Sequence, residues 1–147
     1  MTETIASILA AKGGVIWSVD PETTVYDAIS IMADRGIGAL LVTVEGRLVG
    51  VISERDYARK IILHGRSSRD TRVREIMTSA PVTVTPEHTV DECMRIITHN
   101  RIRHLPVLEG EHLVGVISIG DLVNAIIADQ ARTIDHLHSY ITGGYPA

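Results

Sequence analysis

The run LVGVISERD occupies Leu48 to Asp56, and LVGVISIGD occupies Leu113 to Asp121. Six consecutive residues are identical, and both times an aspartate stands three positions after the serine. Sliding the chain by 65 residues extends the match without a gap: Val19 to Asp56 lies over Val84 to Asp121, and 16 of the 38 pairs are identical. Pro21/Pro86, Glu22/Glu87, Thr24/Thr89, Val25/Val90, Ile37/Ile102, Leu40/Leu105 and Val42/Val107 are among them. A duplication of this size means one structural unit used twice. Two units are too few for a solenoid, so a pseudo-two-fold pair burying one shared face is expected.

Each copy reads β-α-β-β-α. A short β-prone segment, Val15 to Val19 or Val82 to Val84, leads into a Pro-Glu-x-Thr turn. Thr24 or Thr89 then caps a helix, with Asp27 or Glu92 three residues on; Thr89 with Glu92 is a capping-box pattern. Apolar residues follow at helical spacing: Val25, Ala28, Ile29 and Met32 in the first copy, Val90, Cys93, Met94 and Ile97 in the second. A strand at 39–44 or 105–108, a turn at Glu45-Gly46 or Glu109-Gly110-Glu111, and the LVGVIS strand complete the sheet. A second helix is expected over 54–63 and 119–130. Residues 64–74, HGRSSRDTRVR, are polar and aperiodic and read as a linker. The expected division is 8–64 for the first copy, 65–74 for the linker, 75–130 for the second copy and 131–147 for a C-terminal helix and tail. A short helix is also expected within 1–12. The class is α/β of the α+β type.

The bulk composition narrows the function. The chain has 147 residues, 45% of them hydrophobic, with no Phe, one Trp and four Tyr, so its core must rest on aliphatic residues. A net charge of −4 argues against a general nucleic-acid binder. Lys12 and Lys60 are the two lysines; the other twelve basic residues are arginines, whose planar fork suits phosphate and carboxylate. Cys93, the one cysteine, falls in an apolar helical pattern and reads as a small core residue. Neither a secretory leader nor an apolar run of membrane-spanning length is present, so a cytoplasmic protein is expected.

Ser-x-x-Asp after a strand has two readings. Ser53 and Ser118 can be N-caps with Asp56 and Asp121 at the third helical position, where a negative charge favours the helix dipole. The same geometry can bind a ligand. A helix N-terminus favours anions, an aspartate accepts from two adjacent ribose hydroxyls, and a serine bonds ribose or phosphate. The two roles can coexist.

With these motifs, and with RHLPV before the second turn, the chain resembles a tandem pair of CBS domains, named after cystathionine β-synthase, from about Ile8 to Asp129. The resemblance implies two modules packed through their sheets. It also implies two clefts for adenine-containing ligands: AMP, ADP, ATP, NAD(H) or S-adenosylmethionine. Such modules sense or regulate and do not catalyse. Ser53, Asp56, Ser118 and Asp121 are the implied ribose contacts. For the second copy the implied adenine contacts are Thr78, Pro81, Val82, Ile102, Arg103 and His104. For the first they are Gly14, Ile16, Trp17, Ile37, Gly38 and Ala39. Lys12, Arg35, Arg55 and Arg101 are the implied phosphate contacts. Arg101 aligns with Gly36, and Pro106 with Leu41, so the clefts should differ in charge.

The remaining features carry less. The histidines, at 64, 88, 99, 104, 112, 136 and 138, show no zinc spacing, and no metal is expected. Gly13-Gly14 is too short for a phosphate loop. No nucleophile–base pair is placed together, and no enzyme is expected. A stand-alone regulatory module follows, acting as a homodimer of four CBS copies on an effector protein, away from membranes. A ligand-free interaction or dimerisation module is the alternative. Nucleic-acid binding through the arginines from Arg66 to Arg74 is a third reading.

Overall fold

The computed structural model describes residues 3–13 and 15–141. Gly14, expected at the adenine, and the 142–147 tail lie outside the described residues. The elements are α1 (Ile5–Lys12), β1 (Ser18–Val19), α2 (Val25–Arg35), β2 (Ala39–Val44), β3 (Arg47–Ser53), α3 (Glu54–Tyr57), α4 (Val73–Ile76), β4 (Thr78–Ser79), α5 (Val90–Asn100), β5 (His104–Glu109), β6 (His112–Ser118) and α6 (Ile119–Ile141). After Tyr57 the first copy's second helix widens into a π-helical turn, Ala58–Ile62. The equivalent helix of the second copy, α6, runs on to Ile141.

The capping chemistry forms as the residues require. Thr24 Oγ1 accepts from the Asp27 N–H at 3.2 Å. Thr89 Oγ1 accepts from Glu92 N–H at 3.2 Å, while Glu92 Oε1 accepts from Thr89 N–H at 3.0 Å. These caps aim the apolar faces of α2 and α5 at their sheets. Val25, Ala28 and Met32 are buried in one copy; Val90, Cys93 and Ile97 are buried in the other.

Two aliphatic cores result. The first gathers Val19, Val25, Ala28, Met32, Leu40, Val42 and Ile52; the second gathers their counterparts Val84, Val90, Cys93, Ile97, Leu105, Val107 and Ile117. The hairpins match in detail. β2 pairs antiparallel with β3, β5 with β6, and a bulge falls at Val42/Thr43 in one and Val107/Leu108 in the other. In the second copy the lead-in segment touches β5 through a single parallel bridge, Val84 to Val107. Leu41 points to the sheet face opposite Leu40 and Val42, yet is 2% exposed. That face is covered because β3 and β6 pack on each other.

The lead-in segments are exchanged between the copies. α1 packs on the second copy, with Ile5 and Ile8 in its core. Val73 and Ile76 of α4 lie in the core of the first copy, and β4 pairs antiparallel with β3, Val51 opposite Thr78. Backbone bonds repeat the pattern: Val25 N–H donates to Thr71 O and Val90 N–H to Glu3 O, at 2.8 and 2.9 Å. Within the stretch that reads as a linker, Thr71 is therefore buried and Val73 is helical.

Each exchanged segment closes over a glycine of LVGVIS. A Cβ on Gly50 would lie 2.7 Å from Met77 Sδ and 2.9 Å from Thr78 O; one on Gly115 would lie 2.6 Å from Leu9 Cδ2. The glycines of the repeat are the seats of the crossed segments.

Candidate functional site

β3 and β6 deliver their serines to the start of a helix, and both aspartates close a reciprocal cap. Asp56 N–H donates to Ser53 Oγ at 3.2 Å and Ser53 N–H to Asp56 Oδ2 at 2.9 Å. In the second copy the same bonds are 3.1 and 2.8 Å, between Asp121 and Ser118. Ser53 Oγ also stands 3.1 Å from Asp56 Oδ2.

A cleft of about 880 Å³ opens beside Asp56. Its apolar lining includes Val51, Pro81, Val82 and Ile102, and its polar lining includes Ser53, Arg55, Arg59, Arg101, Arg103 and His104. The exchange of lead-in segments decides this grouping. Thr78, Pro81 and Val82, from the start of the second copy, stand with Ser53 and Asp56 of the first, because β4 is a strand of the first copy's sheet. Gly38 and Ser118 also reach this cleft. Lys12, Ile16, Trp17, Arg35, Ile37 and Ala39 lie outside its lining.

Of these, Lys12 reaches Asp121 instead. Lys12, at the end of α1, donates through Nζ to Asp121 Oδ2 at 2.7 Å and to Val116 O at 2.9 Å. Ile16 and Trp17 are the counterparts, by the 65-residue offset, of Pro81 and Val82. The Arg35 guanidinium sits 4.2 Å above the Trp17 ring, a cation–π contact. Ile37 donates its N–H to Met32 O at 3.0 Å, and Ala39 pairs with Ser53.

The Asp121 carboxylate is held charged, yet can still accept. Burial alone would raise the Asp121 carboxyl, but the hydrogen bonds from Lys12 and the Ser118 N–H outweigh it and leave it below the usual carboxylate range. Asp56 Oδ1 faces Lys60 Nζ at 3.2 Å. A carboxylate offers about four lone-pair sites, so a ribose diol can join the cap without dismantling it. His104 lines the cleft, its ring 3.6 Å from where a Gly38 Cβ would lie. Burial, and then the Lys12 charge, push its imidazole below 6.5.

Two of the three non-glycine residues with positive φ among the described residues line the cleft: Ala80 at 48° and Arg101 at 54°. Backbone held in this region is characteristic of ligand sites. Six lining residues are not among those the sequence assigns to a ligand: Val51, Glu54, Arg59, Lys60, Ala80 and Ile119. Lys60 carried a signal, since a lysine four residues after Asp56 pairs with it on a helix. Arg59 carried none, because the π turn aims it. No group of three or more His, Cys, Asp or Glu that could hold a metal occurs among the described residues.

Two β-α-β-β-α units with exchanged lead-ins and paired Ser-x-x-Asp caps define a tandem-repeat module. The chain belongs to the CBS-domain family: the profile described as "CBS domain" matches residues 15–63 and 73–128. A curated relative, the CBS domain-containing protein CBSX3, mitochondrial, of Arabidopsis thaliana, is 44% identical over 141 residues, covering 92% of this chain and 68% of its own. A solved protein with CBS domains from Burkholderia ambifaria MC40-6 superposes with a TM-score of 0.83 at 53% identity, over 86% of this chain and 96% of its own. CBSX2, solved in complex with AMP, shares the fold at 22% identity and a TM-score of 0.71, over 87% of this chain and 98% of its own. Among the described residues no helix is long and apolar enough to cross a membrane.

Proposed function

We propose that this chain is a regulatory module that binds an adenine nucleotide in the cleft beside Asp56 and signals through a change of shape or assembly. The observation that carries the reading is the cleft itself: a pocket of ligand size whose lining combines Val51, Pro81, Val82 and Ile102 with four arginines and with Ser53 and Asp56. The adenine would lie among Val51, Pro81, Val82 and Ile102, the ribose on Asp56, and the phosphates toward Arg55 and Arg101. Asp121 with Ser118 would serve the second cleft, with Ile16, Trp17 and Ala39 around the base and Lys12 and Arg35 near the phosphate. The AMP bound to CBSX2 supports the ligand class. A ligand signals here only if its affinity differs between two states of the module. The chemistry suits the cytoplasm, and equally an organelle, as the mitochondrial name of the plant relative indicates.

Calorimetric titration with AMP, ATP, NAD(H) and S-adenosylmethionine tests the reading. Binding is expected for at least one of them, and Asp56→Ala should weaken it at least tenfold. No binding near 1 mM (about −4 kcal/mol) by any of them sinks the proposal. The caps favour a second reading, in which Ser-x-x-Asp only holds helix ends and the module serves protein contacts. It expects Asp56→Ala and Asp121→Ala to lower the melting temperature while no ligand raises it.

Self-association belongs to the proposal. On α6, Ile127, Ile134 and Ile141 repeat every seven residues, with Val123 four residues before the first and Leu137 three after the second, and all five are 39–80% exposed. That is an a/d seam of the kind that pairs helices, and a second copy of the chain offers the same seam. An effector protein would read the dimer.

A further inference from the structure

We propose that the cleft at Asp56 selects nucleotides with a di- or triphosphate chain, whereas the cleft at Asp121 does not discriminate by phosphate number. The inference rests on the nucleotide-binding reading above and adds to it the ligand class of each cleft.

A charge difference separates the two copies. Arg55, Arg59, Arg101 and Arg103 all line the first cleft. Under the 65-residue offset their counterparts are Gly120, Asn124, Gly36 and Gly38, all neutral. Lys60, a fifth base in the lining, has Ala125 as counterpart. It is already engaged by Asp56 and by Ile76 O, at 3.2 and 2.7 Å. It balances Asp56, so the four arginines face only Glu54 among the acidic residues of the lining. The chain as a whole carries −4, which makes this a cationic mouth on an anionic protein.

The arginines come from both copies and are tied together. Arg55 Nη1 donates to the Arg101 carbonyl at 2.8 Å. That bond ties Arg55 of the first copy to Arg101 of the second, in the same lining as Arg103. Guanidinium forks match phosphate oxygens in pairs. One phosphate cannot engage four forks, but a chain of two or three can. On the Asp121 side both basic residues already have partners: Lys12 is bound to Asp121 and to Val116 O, and Arg35 stacks on Trp17.

Calorimetry with adenosine, AMP, ADP, ATP and inorganic triphosphate, at low salt, reads the difference. ATP should bind the wild-type protein about tenfold or more tightly than AMP (about 1.4 kcal/mol). That preference should shrink as salt screens the arginines. Arg59 is exposed, so Arg59→Ala should fold normally, and it should lower ATP affinity more than AMP affinity. In Arg55→Ala/Arg59→Ala protein ATP should bind no more tightly than AMP. Equal affinities for AMP and ATP in the wild type overturn this inference while leaving the nucleotide reading standing. So does an ATP preference that the double substitution leaves undiminished. Inorganic triphosphate binding as tightly as ATP, or no binding by any adenine compound, overturns the nucleotide reading itself.

Discussion

Arg101 caps α5 in a left-handed conformation, φ 54°, where its counterpart Gly36 caps α2 at 65°. A side chain there costs about 1 kcal/mol relative to glycine. The first copy takes the relaxed solution and the second keeps an arginine, at the mouth of the basic cleft. Arg101→Gly should therefore raise stability by about 1 kcal/mol in denaturant unfolding while weakening nucleotide binding in calorimetry. His104 gives a pH signature. Its folded pKa lies below the ordinary 6.5, so between the two values the unfolded chain binds more protons. Stability should fall as the pH drops through about 6.5 and level off below the folded value. Thermal melts at pH 7.5, 6.5 and 5.5 check this, and His104→Gln should flatten the profile relative to wild type. Cys93, fully buried, has its thiol pushed up to about 11, first by burial; it reads as core in sequence and packs as core here.

At the scale of elements, the two LVGVIS strands are alike in sequence and unlike in tolerance. A methyl on Gly115 meets only the Leu9 side chain, which can turn aside. One on Gly50 meets Met77 Sδ and, at 2.9 Å, the Thr78 carbonyl of β4, which cannot move without breaking the strand pair. Gly50→Ala should cost about 2–3 kcal/mol in chemical denaturation and Gly115→Ala about 1 kcal/mol or less. Equal costs would mean that β4 is not seated on β3 as described. The same strand pair holds Thr78, Pro81 and Val82 in the basic cleft, so Gly50→Ala should also weaken nucleotide binding.

The whole molecule is a pair of aliphatic cores joined through β3 and β6, with one helix reaching beyond them. In α6 only Leu122 is buried, although the helix has 23 residues, about 35 Å of length. A seam of this length suits pairing with another copy. Ile134→Lys together with Leu137→Glu should convert a dimer to a monomer in light scattering while leaving the circular dichroism of the two repeats intact. A variant that stays dimeric would place the interface elsewhere.

The sequence by itself determined the duplication, the β-α-β-β-α order, the inward faces of α2 and α5, and both Ser-x-x-Asp caps. Each depends on residues within a few positions of one another, or on a repeat that can be laid over itself. Val25 and Val90, Thr89 and Glu92, and Ser53 and Asp56 announce their roles locally. Only the tertiary structure decided which lead-in segment lies on which sheet. Ile5 and Ile8 could seat on either LVGVIS strand, as could Val73 and Ile76, since both strands offer the same glycine and the same apolar neighbours. Local pattern is degenerate between two near-identical partners. The packing of β3 on β6 and the path of the chain from Tyr57 to Thr78 break that tie. The result sets Asp56 of the first copy among Pro81, Val82 and Arg101 of the second, and gathers the arginines into one cleft.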